Sequence, residues 1–134
     1  MANITMTISK EGLQDILGTS SNSVTQADYV FRALGNNVTI TEATILSDLT
    51  EATNIGNKTL TGANWTQSYT TKGVNTYTEA FSLTATGATT VYGGYITNSA
   101  NTVLISGGNF SAPKVLDSAD TIDTDSIVQG LDNV

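Results

Sequence analysis

The residues that could do chemistry in this chain are carboxylates, hydroxyls and a few amines, because the sequence contains no histidine and no cysteine. That composition excludes most metal-ligand sets and the common nucleophile–base pairs of hydrolytic enzymes. Glycoside hydrolysis by two carboxylates is the one broad reaction class that remains, with Glu42 and Glu79 as the acids to test. Sugar sites need stacking aromatics, and this chain has a single tryptophan. We therefore predict that the protein is not an enzyme and has no catalytic residues.

A cluster of aspartates toward the end of the sequence is the best candidate for a cation site. Its members are Asp117, Asp120, Asp123 and Asp125. Oxygen ligands suit Ca²⁺, but this segment lacks the glycine and the terminal glutamate of an EF-hand loop. Alternation of aspartate with apolar residues is better explained by a strand whose outer face is solvated. We favour the strand and predict no metal ion and no cofactor.

Four aromatic residues are candidates for contact with a partner. They are Trp65, Tyr92, Tyr95 and Phe110. They could form a carbohydrate platform or a protein interface, whereas aromatics at strand positions often belong to the core. Both interpretations stay open, and Trp65 is kept as a partner-binding candidate. The Gly93–Gly94 pair between the two tyrosines indicates a bulge or a close approach of two backbones.

The charge distribution argues against binding to nucleic acid. The chain has a formal net charge of −7, and its five basic residues are scattered rather than clustered. An acidic surface repels a phosphate backbone. The first residues show no basic and apolar signal pattern, and no apolar run approaches the roughly 18 residues of a membrane span. We expect no nucleic-acid partner and no membrane partner.

Short β-branched segments separated by turn residues predict an all-β fold. The predicted strands cover residues 29–34, 58–61, 65–70, 76–86, 90–97, 102–106, 109–116 and 121–128. A helical turn is predicted over residues 42–49, and Pro113 is expected at an edge or a bulge because it has no N–H to donate. This spacing favours an antiparallel β-sandwich or a jelly roll.

The first 27 residues are predicted to form a flexible N-terminal arm, followed by the β-sandwich domain over residues 28–134. Ser9 could cap a short helix on this arm, and Gly18 would end it. In that helix Leu13, Ile16 and Leu17 share one face. We expect these three side chains to bind a partner when the arm folds on contact.

Two stretches of the sequence carry a family pattern. The first is NVTITEATILSDLTEAT at residues 37–53; the second joins FSLTATG at 81–87 to VYGGYITNSANTVL at 91–104, with Phe110 and the DTI of 120–122 closing it. In order and spacing the pattern covers residues 28–128, and it resembles small virion structural proteins of tailed bacteriophages. The resemblance implies location in the virion. A compact β-domain with an arm is similar to the cement proteins that cap junctions between capsomers.

These observations lead to one leading hypothesis and two alternatives. The leading hypothesis is a capsid cement or decoration protein on the capsid surface, a homotrimer that binds the major capsid protein at threefold junctions. The first alternative is a tail or head-fibre domain that binds host surface glycans through Trp65 and exposed tyrosines. The second is a carboxylate hydrolase that uses Glu42 or Glu79.

Overall fold

The computed structural model describes residues 2–9, 27–68 and 74–130, and the side chains of residues 4–9, 27–66 and 75–130. In this part of the chain the regular structure consists of nine strands and two 3-10 turns, at Leu46–Asp48 and Gly62–Asn64. The strands are β1 (Ala2–Ile8), β2 (Tyr29–Leu34), β3 (Lys58–Leu60), β4 (Trp65–Ser68), β5 (Val74–Tyr77), β6 (Phe81–Thr84), β7 (Thr89–Asn98), β8 (Leu104–Leu116) and β9 (Thr121–Gly130). The prediction of a mostly-β chain is confirmed. None of the described helical segments has the length and apolar character to cross a membrane.

Eight strands form one mixed sheet in the order β3-β2-β7-β8-β1-β9-β5-β4, and β6 pairs with β9 beside this path. The sheet curls into a half-barrel and is not a clear sandwich of two layers. Pairing is antiparallel throughout except between β1 and β9, which run parallel. The predicted antiparallel sandwich or jelly roll therefore differs from the described arrangement, because alternation of side chains does not encode which strands pair.

A loop takes the place of a second layer on the outer face of the sheet. Residues 35–50 cover Leu34, Tyr95 and Leu104, which form a small apolar cluster of their own. The side chain of Asn109 pins this loop, accepting from the Ile40 N–H at 2.8 Å and donating to the Val38 carbonyl at 2.6 Å. The helical turn predicted over residues 42–49 is reduced to the 3-10 turn Leu46–Asp48. Ile45, directly before this turn, is 47% exposed.

Strand β1 joins the two halves of the sheet. It pairs with β8 on one side and with β9 on the other. Its buried residues Ile4, Met6 and Ile8 alternate with threonines, which is the period of a strand with one face in the core. The sequence prediction placed these residues on the flexible arm of residues 1–27, so the sheet begins earlier than predicted. Residues 10–26, with the predicted helix of the arm, lie outside the described part of the chain.

A row of aromatic rings connects β4, at one end of the sheet order, with β2, the strand next to the other end. Trp65 on β4 lies edge-on to Tyr29 on β2, with ring centroids 6.4 Å apart, and 5.3 Å from Tyr77 on β5. The row continues through Phe81 to Phe31, again with tilted or edge-to-face rings. Each such pair stabilises the folded state by about 0.5–1.5 kcal/mol beyond the contribution of the buried apolar area. These rings fill the concave side of the half-barrel, where the main core lies.

Several predicted strands have different bounds in the structure. The predicted strand 76–86 is divided into β5 and β6 by residues 78–80, whereas 102–106 and 109–116 form the single long strand β8. In β8 the register shifts so that residues 110–113 stand opposite Tyr92 alone. Pro113 therefore lies in a bulge, as the sequence predicted.

Gly93 and Gly94 allow a close approach of β7 to its neighbours. A Cβ atom at Gly93 would lie 2.1 Å from the carbonyl oxygen of Gly108, and one at Gly94 would lie 2.4 Å from Cζ of Phe31. No real Cβ contact is that short. A side chain at Gly93 meets backbone and would force β7 and β8 apart, whereas a side chain at Gly94 would displace the Phe31 ring. The close approach predicted for the glycine pair is confirmed.

We expect the Gly93→Ala variant to lose about 1–3 kcal/mol of unfolding free energy, because the added methyl group meets backbone that cannot yield without shifting β8. Urea unfolding followed by Trp65 fluorescence measures the loss. Gly56→Ala is the matched control, because a Cβ atom there meets nothing within 4 Å. Equal urea midpoints for the two variants would contradict the packing described here.

Candidate partner-binding surface

An open cleft lies between β8 and β9, which are consecutive in the chain and joined by the turn at residues 117–120. No ladder joins these two strands within the described residues, because β1 lies between them. Nearer the turn they enclose a cleft of about 480 Å³. Its lining residues are Ile4, Phe110, Ser111, Lys114, Leu116, Thr121, Ile122 and Asp123. The cleft exists because β1 separates the strands without filling the space up to the turn.

The cleft combines apolar walls with one cation and one anion. Leu116 is buried, while Phe110 and Ile122 are half-buried and pack against the main core. Lys114 extends over Phe110, with Nζ 6.0 Å from the ring centroid. The Asp123 carboxylate accepts a hydrogen bond from the Ser82 hydroxyl at 2.5 Å. This arrangement suits an apolar side chain of a partner whose own charges can meet Lys114 and Asp123.

The strand segment beside the cleft faces solvent. All five residues of 111–115, here called the exposed ribbon, are exposed. Val115 is 79% exposed, the most exposed large apolar side chain in the described part of the chain. Pro113 cannot donate a backbone hydrogen bond, which discourages unselective pairing of this segment with other strands. The exposed ribbon is therefore available for side-chain contact with a partner.

The aspartates considered as a cation site build the turn and the strand that follows it. Asp120 accepts from the Asp117 N–H at 2.8 Å and donates its own N–H to the Asp117 carbonyl at 3.0 Å. Ala119 completes the turn at a φ of 76° and donates to the Ala85 carbonyl at 2.8 Å. Within the described residues, no group of three or more potential ligand side chains is placed to hold a metal ion.

Trp65 does not lie on the surface. It is 6% exposed and belongs to the main core, packed between Tyr29 and Tyr77. The structure therefore favours the core interpretation over the partner-binding one, because burying an indole ring against two other rings removes it from any flat platform. Its indole N–H has no hydrogen-bond partner within the described chain.

The four aromatic candidates are not brought together as a platform. Tyr95 is buried and Tyr92 half-buried in the outer cluster under residues 35–50, while Phe110 borders the cleft. Leu13, Ile16 and Leu17, the other partner-binding candidates, lie outside the described residues.

The two acids considered for hydrolysis occupy different parts of the fold. Glu79 follows β5 and accepts from the Asn64 amide at 2.6 Å and from the Tyr77 hydroxyl at 3.0 Å. Glu42 lies in the loop of residues 35–50 on the outer face. Glu79 is thus held as an acceptor that fixes the start of β6, a structural role. The Tyr77 pKa is raised by burial, partly opposed by the Asn64 hydrogen bond and supported by Glu79.

An ion pair lies beside Tyr95 on the outer face of the sheet. Nη1 of Arg32 is 3.0 Å from both carboxylate oxygens of Glu51, and Nε of Arg32 donates to the Thr97 hydroxyl at 3.0 Å. The pKa of Tyr95 is raised to about 12, chiefly by burial and also by the Glu51 carboxylate, while the Arg32 guanidinium opposes the rise. The tyrosine is therefore held neutral in a site that already contains a bonded ion pair.

Sequence reasoning missed the cleft and the exposed ribbon. Two signals were present: the alternation of Ile4, Met6 and Ile8 with threonines, and Pro113 inside an otherwise regular strand. The first would have placed β1 in the sheet, and the second indicated a segment that stands away from its neighbours. Neither signal shows that β8 and β9 separate around β1.

Comparison with known proteins finds no relative: no family model, no curated protein and no solved structure matches this chain.

We expect alkaline pH to destabilise the protein through Tyr95. In the unfolded chain this phenol ionises near 10.0, and in the folded chain near 12. Its contribution is therefore complete below pH 10 and is lost as the pH rises from 10 to 12, by about 3 kcal/mol at the upper limit. Urea unfolding at a series of pH values measures this loss, and Tyr95→Phe should reduce it.

The matched control for this test is Tyr92→Phe, which removes a hydroxyl from a half-buried ring in the same cluster. It should keep the wild-type loss of stability. If Tyr95→Phe and the wild type lose the same free energy between pH 10 and 12, the burial of the Tyr95 hydroxyl has no part in the pH dependence.

Proposed function

We propose that this chain is a structural protein of a tailed-bacteriophage particle, a capsid cement or decoration protein. As a homotrimer on the capsid surface, it binds the major capsid protein at capsomer junctions. The pattern across residues 28–128 supports this proposal through its resemblance to small virion proteins. The composition also favours a binding role, because a chain without histidine and cysteine has few means of catalysis.

The observation that carries the proposal is the exposed ribbon beside the cleft. Val115 presents an apolar side chain to solvent next to a concavity with apolar walls. Full burial of one valine contributes about 1.5–3 kcal/mol, so this side chain favours a state in which a partner covers it.

Three copies of this small surface in one trimer are enough for stable binding to the shell. A cyclic trimer presents three copies of the same surface to the subunits that meet at a threefold junction. Each contact is weak, but simultaneous engagement raises the overall affinity by the effective concentration of the second and third contacts. Binding to the folded form alone then stabilises both protein and shell by mass action.

The two alternatives lose support at their key residues. Burial of Trp65 removes the ring expected to stack on host glycans, and Tyr95 is buried as well. For a hydrolase, Glu79 is bonded to Asn64 and Tyr77 in a structural role, and Glu42 lies in a different part of the fold. Neither alternative is proposed further.

The test of this proposal is mass measurement and rebinding to particles. Light scattering should give about three times the chain mass of 14.0 kDa. The protein should also sediment with virions of its phage from which the native copies have been stripped. Val115→Lys should abolish sedimentation or the trimer, because a lysine ammonium in an apolar contact must lose its hydration. Thr53→Lys adds the same charge at another exposed position and should behave as the wild type.

A monomer that does not sediment with stripped particles would contradict the proposal. Wild-type behaviour of Val115→Lys in both assays would instead remove the exposed ribbon from the contact surface.

The arm prediction has a separate test that leaves β1 intact. A variant with Leu13, Ile16 and Leu17 all replaced by serine should keep its urea midpoint and lose sedimentation with stripped particles by tenfold or more. The physical reason is that three apolar anchors, worth about 1.5–3 kcal/mol each when buried, would be absent from the bound arm. Retained occupancy on the particles would show that these residues are not anchors.

A further inference from the structure

The place of β1 in the sheet is a groove one strand wide. On one side is β8, with Thr7 and Ile8 in register with Gly107 and Ser106; on the other is β9, with six residues of β1 in register. Neighbouring strands lie about 4.8 Å apart, so without β1 the edges of β8 and β9 would face each other across about 10 Å. Both edges would then present backbone N–H and C=O groups without partners. A strand inserted between them supplies these hydrogen-bond partners.

The groove is shaped for this strand. A Cβ atom at Gly108 would lie 2.7 Å from the carbonyl oxygen of Thr5, so a glycine is needed for the β1 backbone to approach. Ile4 and Met6 fill the core side, and Ser106 donates to the Met6 sulfur at 3.7 Å. The Ser9 hydroxyl donates to the carbonyl of Leu104 at the end of the groove. The groove is therefore fitted to the residue pattern of β1.

The two ends of the connection from β1 to β2 lie at the same end of the sheet. Ser9 donates its N–H to the Ile105 carbonyl at 3.0 Å, and Asp28 accepts from the Ser99 hydroxyl at 3.0 Å, next to the turn that joins β7 to β8. In the strand order β1-β8-β7-β2, three spacings separate β1 from β2. That distance is about 14 Å, which about five extended residues can span.

The connection is much longer than this distance requires. It contains seventeen residues, 10–26, including the run GTSSNS. Fully extended, a connection of that length reaches about 58 Å, more than the diameter of a domain of this size. The same β1 can therefore occupy its own groove or the groove of an adjacent copy.

Exchange of β1 between copies preserves every contact that β1 makes within one copy, so the energetic difference between the two states is small. The choice is then set by how close the copies are held, because the effective concentration of a neighbour rises when subunits share a junction. In a cyclic trimer each copy can give β1 to the next, and the ring closes after three exchanges. Each connection between two copies is then made by a central strand of the sheet, so separating the copies requires opening the sheet.

We propose that β1 is exchanged between copies of this chain, so that the groove between β8 and β9 of each copy is occupied by β1 of a second copy in the assembled trimer. This inference rests on the self-association proposed above. The groove is then an interaction surface, and the partner is another molecule of the same protein.

A disulfide across the groove tests the proposal in the purified full chain. Thr5 and Val128 are in register on β1 and β9, and Thr5 is exposed. A register pair has Cα atoms near 5 Å apart, which a disulfide can bridge. The chain has no cysteine of its own, so the double variant Thr5→Cys and Val128→Cys forms one defined bond after oxidation. Exchange predicts disulfide-linked chains of three times the single-chain mass on a non-reducing denaturing gel.

The controls separate this bond from accidental cross-links. Thr66→Cys with Thr76→Cys bridges the register pair of β4 and β5, which belong to one short hairpin, and should give single chains only. Each single-cysteine variant of Thr5 and Val128 should fail to form the linked trimer. If the first pair impairs folding, seen as a lower urea midpoint, the register pair Thr7 and Gly130 provides a second double-cysteine variant.

The outcomes distinguish this inference from the proposed function. A native mass of three chains with disulfides inside single chains overturns strand exchange and leaves the cement trimer in place. A native mass of one chain with disulfides inside single chains overturns strand exchange and also contradicts a preformed trimer. A linked trimer that fails to sediment with stripped particles supports strand exchange and contradicts the cement function.

Discussion

The sheet is continuous because the backbone of β1 is hydrogen-bonded to β8 on one side and to β9 on the other. On either side of β1 lies a group of strands: β3, β2, β7 and β8 in one, and β9, β5 and β4 with β6 in the other. Without β1 these groups would share side-chain contacts around Trp65, chain connections and the isolated backbone bridge between Ile55 and Ala85, but no central ladder. Buried backbone groups that lose their partners cost free energy comparable to a lost hydrogen bond each. The position of the main core and the cleft beside Ile4 both depend on this one strand.

Local patterns were enough to predict the strands that are marked by their own residues and by the turn residues beside them. The predicted strand 29–34 coincides with β2, and β7 and β9 each extend their predictions by two residues. These strands are rich in β-branched and aromatic residues and are bounded by turn residues, so nearby sequence is informative. The division of 76–86 was not predictable in this way. It depends on Thr78 and Glu79 bonding to Asn64, the residue that directly precedes β4.

Pairing order and the candidate surface could not be predicted from the sequence for a related reason. β1 pairs in parallel with a strand more than a hundred residues away, and no local period reports such a partner. The Ser- and Thr-rich composition of the first 27 residues also predicts a flexible arm, whereas the alternation of Ile4, Met6 and Ile8 predicts a strand. One continuous curled sheet, with a loop on its outer face, then replaced the expected sandwich. The cleft arises where β8 and β9 separate, so its residues come together only once β1 has been placed.

The charge and the surface together restrict how this protein can associate. A net charge of −7 makes copies repel one another at a distance, so association needs close contacts that outweigh this repulsion. Large exposed apolar side chains are few in the described residues, with Val115 and Ile45 the most prominent. A surface of that size supports only weak pairwise binding. Two features can strengthen association without a larger apolar surface. Repetition on a lattice multiplies weak contacts, and backbone pairing by an exchanged strand reuses contacts that the fold already makes.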